Sequence, residues 1–163
     1  MSSDPQHSVD KRGRNAWIVI GGLFAIGTFL AVFVVFPNLK SSAMTIQTKI
    51  VSLDEAGKGM TAEECVKDVV GWYASCDAMP SMCLQEVPKA VAHCLKAKDR
   101  AAECAPYEKV EVADARWTFE RCESIGYGKD TKDSDTRKAC TASWRALEQF
   151  CKTHQKSVIW GVK

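Results

Sequence analysis

The 163-residue chain carries 22 Lys+Arg against 20 Asp+Glu, 46% hydrophobic residues and eight cysteines. That length accommodates one domain of about 100 residues plus an appendage. From residue 44 onward there are 18 basic and 18 acidic residues, a balance that argues against the basic face of a nucleic-acid binder.

Residues 1–15 are polar, contain Pro5 and lack apolar periodicity, so a disordered tail is expected. Residues 16–36 (AWIVIGGLFAIGTFLAVFVVF) follow without a charge. At about 1.5 Å per residue, these 21 positions span roughly 31 Å, the depth of a bilayer core. Ser41-Ser42-Ala43 resembles a cleavage site, but the apolar run exceeds a signal-peptide core and a polar leader precedes it. An uncleaved anchor is the favoured reading. Lys11, Arg12 and Arg14 lie just before it, against Lys40 and the more distant Lys49 after it. The positive-inside bias therefore places the N-terminus in the matrix or cytosol. Gly21 and Ala25, and again Gly27 and Ala31, put small residues one turn apart, a pattern that permits close helix packing in lipid but is also common in any membrane helix.

Pro37 is expected to end that helix. Residues 37–60 read as a connector, with Thr45 to Val51 mildly strand-like and Gly57-Lys58-Gly59 a turn. An all-α, cysteine-rich domain is expected over 61–156, with four helices near 61–76, 83–98, 108–124 and 135–153. Thr61-Ala62-Glu63-Glu64 has the form of a capping box. Cys65, Val69, Trp72, Tyr73 and Cys76 then recur on one helical face, and Cys83, Val87, Ala90, Val91 and Cys94 repeat those offsets. Pro88 either starts or kinks the second helix. Ala101 to Ala105 could prolong it until Pro106. Val110, Ala113, Trp117 and Cys122 give an imperfect third stripe closed by Gly126-Tyr127-Gly128, and Cys140, Trp144, Leu147 and Cys151 give the fourth. An apolar tail, 157–163, closes the chain and could dock on the domain, on a partner or at the membrane surface.

All eight cysteines lie beyond the apolar run. Such density reads as a disulfide framework in an oxidising compartment. Metal ligation is the rival, but there is no Cys-x-x-Cys pair and no zinc-finger spacing. Positions i and i+11 share a helical face. An antiparallel hairpin would therefore bring Cys65 opposite Cys94 and Cys76 opposite Cys83. Cys140 and Cys151 share the spacing, so a second hairpin pairs Cys122 with Cys140 and Cys104 with Cys151. The latter pair closes only if residues 104–110 fold back, because Cys104 and Cys122 are seven residues too far apart.

Cys65, Cys76, Cys83 and Cys94 resemble the four cysteines of the coiled-coil-helix-coiled-coil-helix proteins of the mitochondrial intermembrane space, with ten residues between pair members instead of nine. The resemblance covers about 30 residues. It implies oxidative import and a structural or assembly role in a membrane complex. A bacterial periplasmic domain could converge on the same solution.

Catalytic patterns are sparse. His93 and His154 are the histidines beyond the apolar run, and no nucleophile elbow, zinc-protease motif or phosphate loop occurs. Met79-Pro80-Ser81-Met82-Cys83 offers thioether and thiolate ligands suited to Cu(I), unless the methionines pack and Cys83 is oxidised. The leading expectation is a non-catalytic accessory subunit without cofactor or metal. It would sit in an inner-membrane complex of respiratory-chain or ATP-synthase type, with its domain in the intermembrane space and with other subunits and lipid as partners. A thiol- or copper-handling assembly factor and a periplasm-facing bacterial receptor module are the alternatives.

Overall fold

Helices account for the ordered structure in the computed structural model, which describes residues 9–108 and 114–153 and, near the start, side chains at 17 and from 19 onward. In chain order these are α1 (Val9–Leu30), a π-helical turn (Ala31–Val35), α2 (Phe36–Ala56), α3 (Ala62–Ala74), α4 (Pro80–Lys96), α5 (Ala101–Glu108), α6 (Ala115–Ser124) and α7 (Ser134–Lys152). No strand occurs among the described residues. Two compact units divide at Ser41/Ser42.

The first unit holds the apolar run. Trp17, Leu23, Phe24, Phe29, Phe33 and Phe36 are all more than half exposed. Among the described residues, this is the one helix long and apolar enough to cross a membrane. Its helical backbone already begins at Val9, inside the stretch expected to be a disordered tail. Pro37 does not end the helix, contrary to expectation. A proline inside an α-helix clashes with the carbonyl four residues back, here Phe33. The wider π turn lies just ahead of it, where the Phe36 amide donates to Ala31 O, five residues back. Asn38 adds a side-chain bond, Nδ2 to Val34 O at 2.8 Å. Proline thus falls in the first turn of α2, where its missing N–H costs least.

The second unit begins earlier than expected. Residues 37–60 are not a connector, since helix runs to Ala56, and the strand-like Thr45 to Val51 is helical. Ser42, Ile46, Ile50 and Leu53 form one buried stripe on α2. Burying Ile46, Ile50 and Leu53 in the core outweighs the β preference of the branched side chains. At Gly57 a Cβ would lie 2.3 Å from Cys94 O and 2.9 Å from Ala97 Cβ, so only glycine lets α2 end against α4.

Local signals set the remaining helices. Thr61 and Glu64 complete the capping box of α3: Thr61 Oγ1 accepts from the Glu64 amide (3.2 Å) and Glu64 Oε2 from the Thr61 amide (2.6 Å). α4 starts three residues before the expected boundary, with Pro80 at its first position and the Met79 amide donating to Ser42 Oγ at 3.2 Å. Pro88 lies inside α4, so Cys83 is on the helix with Cys94, in phase. Ala101 to Ala105 do not prolong α4 but belong to a separate helix, α5, and the expected third helix over 108–124 is the shorter α6. Pro106 sits within α5 and does not stop it. Asp114 caps α6 through the Trp117 amide, 2.7 Å. Gly126, at φ +89°, closes α6 in a Schellman arrangement: the Tyr127 amide donates to Cys122 O (2.8 Å) and the Gly126 amide to Glu123 O (3.0 Å). Asp133 caps α7. Val110 and Ala113 fall outside the described residues.

α7 is the centre of the domain and packs against α3, α4, α5 and α6. It buries Ala139, Trp144, Ala146, Leu147 and Phe150 alongside Cys140 and Cys151.

Candidate functional site

Four disulfides fix the second unit. Cys65–Cys94 and Cys76–Cys83 staple α3 to α4, with Cα separations of 5.7 and 6.6 Å. Cys104–Cys151 ties α5 to α7 at 5.0 Å, and Cys122–Cys140 ties α6 to α7 at 6.0 Å. Cys104 lies on the separate α5, ahead of α6 and its Cys122. No cysteine is free.

This limits the chemistry of the Met79 to Cys83 turn. Cys83 is buried and spent on its bond to Cys76, so it supplies no thiolate. Met79 is exposed and Met82 packs against the core. Among the described residues, no group of three or more His, Cys, Asp or Glu side chains is placed to hold a metal. His93 Nδ1 lies 2.8 Å from Asp54 Oδ1, an exposed pair joining α4 to α2. His154 and the tail 157–163 lie outside the described residues.

A buried cation holds the helix ends together. Arg100, which follows Lys96, Lys98 and Asp99 in the sequence, has a fully buried side chain. Its Nη2 donates to Gly57 O (2.8 Å) and Cys94 O (3.3 Å), its Nε to Leu95 O (3.2 Å) and its Nη1 to Met60 O. These carbonyls lie at and just beyond the C-terminal ends of α2 and α4. Unpaired carbonyls and the negative dipole end favour a cation there. Glu103 lies 3.2 Å from Arg100 Nη1 and accepts from the Ala62 amide at the positive end of α3.

Burial opposes ionisation of Glu103, but the Ala62 amide and Arg100 together outweigh it and hold its carboxyl below the ordinary range. A depressed folded value means stability present above the ordinary glutamate pKa of about 4.3 and lost as pH falls through the folded one. Glu103→Gln is expected to flatten the decline in melting temperature between about pH 5 and pH 3. A residual slope should remain from Glu64, held low by Thr61, and from Asp133, held low by Thr136 and the cap amides. Parallel melting curves for the two proteins would rule out this role.

A second cluster joins α3, α5, α6 and α7. Trp144 is fully buried and meets Trp117 edge to face, with ring centroids 6.0 Å apart. The Arg121 guanidinium lies 5.4 Å from the Trp144 ring centre, 5.6 Å from Trp117 and 5.9 Å from Tyr107. Glu63 Oε1 accepts from the Tyr107 hydroxyl at 2.6 Å and from Arg121 at 3.3 Å. Burial, then this hydrogen bond, raises the Tyr107 phenol well above its usual pKa, so it remains a donor. The aromatic box is filled by the chain's own arginine, which makes it a joint between helices.

On the apolar helix, a Cβ at Gly21 or Gly27 would meet nothing within 4 Å. Gly27 and Ala31 lie in one crevice of 490 Å³ flanked by Leu23 and Phe24. Gly21 and Ala25 do not line it. At about 100° per residue, the two small pairs face directions roughly 120° apart.

Comparison with protein-family models, with curated proteins and with solved structures finds no match to this chain. The likeness to the twin-cysteine hairpin proteins therefore rests on the residues quoted above.

Proposed function

We propose that the protein is a non-catalytic, single-pass accessory subunit of an energy-transducing inner-membrane complex, most simply mitochondrial, with its stapled domain on the oxidising side. The observation that carries this reading is the pairing of all eight cysteines in a chain whose apolar helix leaves Trp17, Leu23, Phe24 and Phe33 exposed. A fully oxidised domain has no nucleophilic thiol and no thiolate for a soft metal, which weighs against the thiol- or copper-handling alternative. Surfaces remain, and surfaces dock.

Purification of the native protein in mild detergent tests this. The protein is expected to migrate with stoichiometric partner subunits. Gly27→Leu fills the crevice and should weaken co-purification severalfold while leaving the protein in the membrane. Gly21→Leu tests the other face of the same helix. Migration of the wild-type chain alone would end the accessory-subunit reading.

A further inference from the structure

We propose that a groove between α4 and α7 docks an acidic, amphipathic helical segment of a partner protein. This rests on the docking reading above and names what the domain would hold.

The groove encloses 610 Å³. Pro88 of α4 with Ala142 and Ala146 of α7 forms its apolar floor, and Arg137, Lys138 and Arg145 of α7 stand along it. No carboxylate lines it, although the chain from residue 44 onward is balanced in charge. Lys138 is neutralised by Asp135 at 2.7 Å. Arg137 donates to the uncharged Thr131 carbonyl at 2.9 Å and has Asp133, the cap of α7, as a nearby charge without a side-chain bond to it. Arg145 has no hydrogen bond or ion pair among the described residues. Two guanidiniums with no carboxylate hydrogen-bonded to them thus stand eight residues apart on one helix, about 12 Å along its axis. Guanidinium forks match carboxylates with two parallel bonds. The complementary surface is a helix with acidic residues about two turns apart and small apolar residues facing the alanine floor.

Other occupants fit less well. Residues 154–163 carry Lys156 and Lys163 and no acidic side chain, so their charge opposes the groove. A lipid headgroup or a nucleic-acid phosphate would satisfy the arginines but leave the alanine and proline floor unused.

The full chain in mild detergent is titrated against a labelled 21-residue helical peptide of alanine and leucine with glutamate at every fourth position, read by fluorescence anisotropy. The same peptide with lysine for glutamate is the control. The acidic peptide is expected to bind, and Arg137→Glu/Arg145→Glu to weaken it at least about tenfold. Lys58→Glu, at the end of α2, should leave binding unchanged. Unaltered circular dichroism and melting temperature would show that the double variant folds. Equal binding to wild type and the double variant, or no binding of the acidic peptide, overturns the proposal. So does stronger groove-dependent binding of anionic vesicles or an oligonucleotide. A tenfold gain on deleting 154–163 would assign the groove to the chain's own tail, and loss of a dimer in the double variant would assign it to a second copy. If the double variant co-purifies normally while Gly27→Leu does not, the groove proposal fails and the docking reading stands. If the wild-type chain migrates alone, the docking reading fails whatever the peptide does.

Discussion

Arg100→Ala is expected to cost the domain about 3–5 kcal/mol, the range found when one partner of a buried charged network is removed. That is a large share of the roughly 5–15 kcal/mol that holds a domain folded. The loss has two sources. Glu103 loses its cation, and the carbonyls of Gly57, Met60, Cys94 and Leu95 lose a donor where water has limited access. Arg100→Met should not restore stability, although apolar replacements often rescue buried ion pairs. Here most acceptors are backbone carbonyls that no mutation removes. Arg100→Lys should recover part of the loss, since one ammonium cannot reproduce the planar fork. Urea unfolding of the full chain in mild detergent, followed by tryptophan fluorescence, measures the effect. A cost below about 1 kcal/mol, the net worth of one ordinary hydrogen bond, would show that Arg100 is not the lock described.

Removing disulfides should rank by the loop each one closes. Sequence separations of 47, 29, 18 and 7 residues apply to Cys104–Cys151, Cys65–Cys94, Cys122–Cys140 and Cys76–Cys83. The chain-entropy relation gives about 4, 3.5, 3 and 2.5 kcal/mol in that order. The double alanine variant at Cys104 and Cys151 should therefore melt lowest, and that at Cys76 and Cys83 highest. The ranking has a structural side as well. Cys104–Cys151 is the covalent link between α5 and α7, whereas Cys76–Cys83 closes a turn already held by Pro80 and by the Ser42–Met79 bond. A reversed order of melting temperatures would mean that local packing outweighs loop closure in this domain.

These two effects mark where the sequence was readable and where it was not. Cysteines repeating at i and i+11 and the Thr61 capping box are local patterns, and local patterns are what a helical period exposes. The stapled α3/α4 hairpin and α7 were therefore legible. Arg100 was not, because a lone arginine after a lysine-rich turn looks solvated, and its partners lie up to 43 residues away. The helix over 37–56 is hidden in the sequence for a related reason. Pro37 and the β-branched run after it signal a break and a strand, and only burial of Ile46, Ile50 and Leu53 overrides them. The start of α4 did carry a signal, since Pro80 suits a first helical position. The α5/α6 division could have been suspected from Asp114, an N-cap residue three positions before Trp117. The basic groove was invisible because Arg137, Lys138 and Arg145 are offset by charges elsewhere, and composition averages over faces.

The central claim is a fully oxidised scaffold with no chemistry of its own at sulfur. Its most direct test is a thiol count on the native protein, trapped with acid at cell lysis, unfolded, alkylated and weighed by mass spectrometry. The account predicts no alkylated cysteine without prior reduction and eight after it. Two or more alkylated cysteines in the unreduced protein would contradict it and point to a thiol-handling function instead.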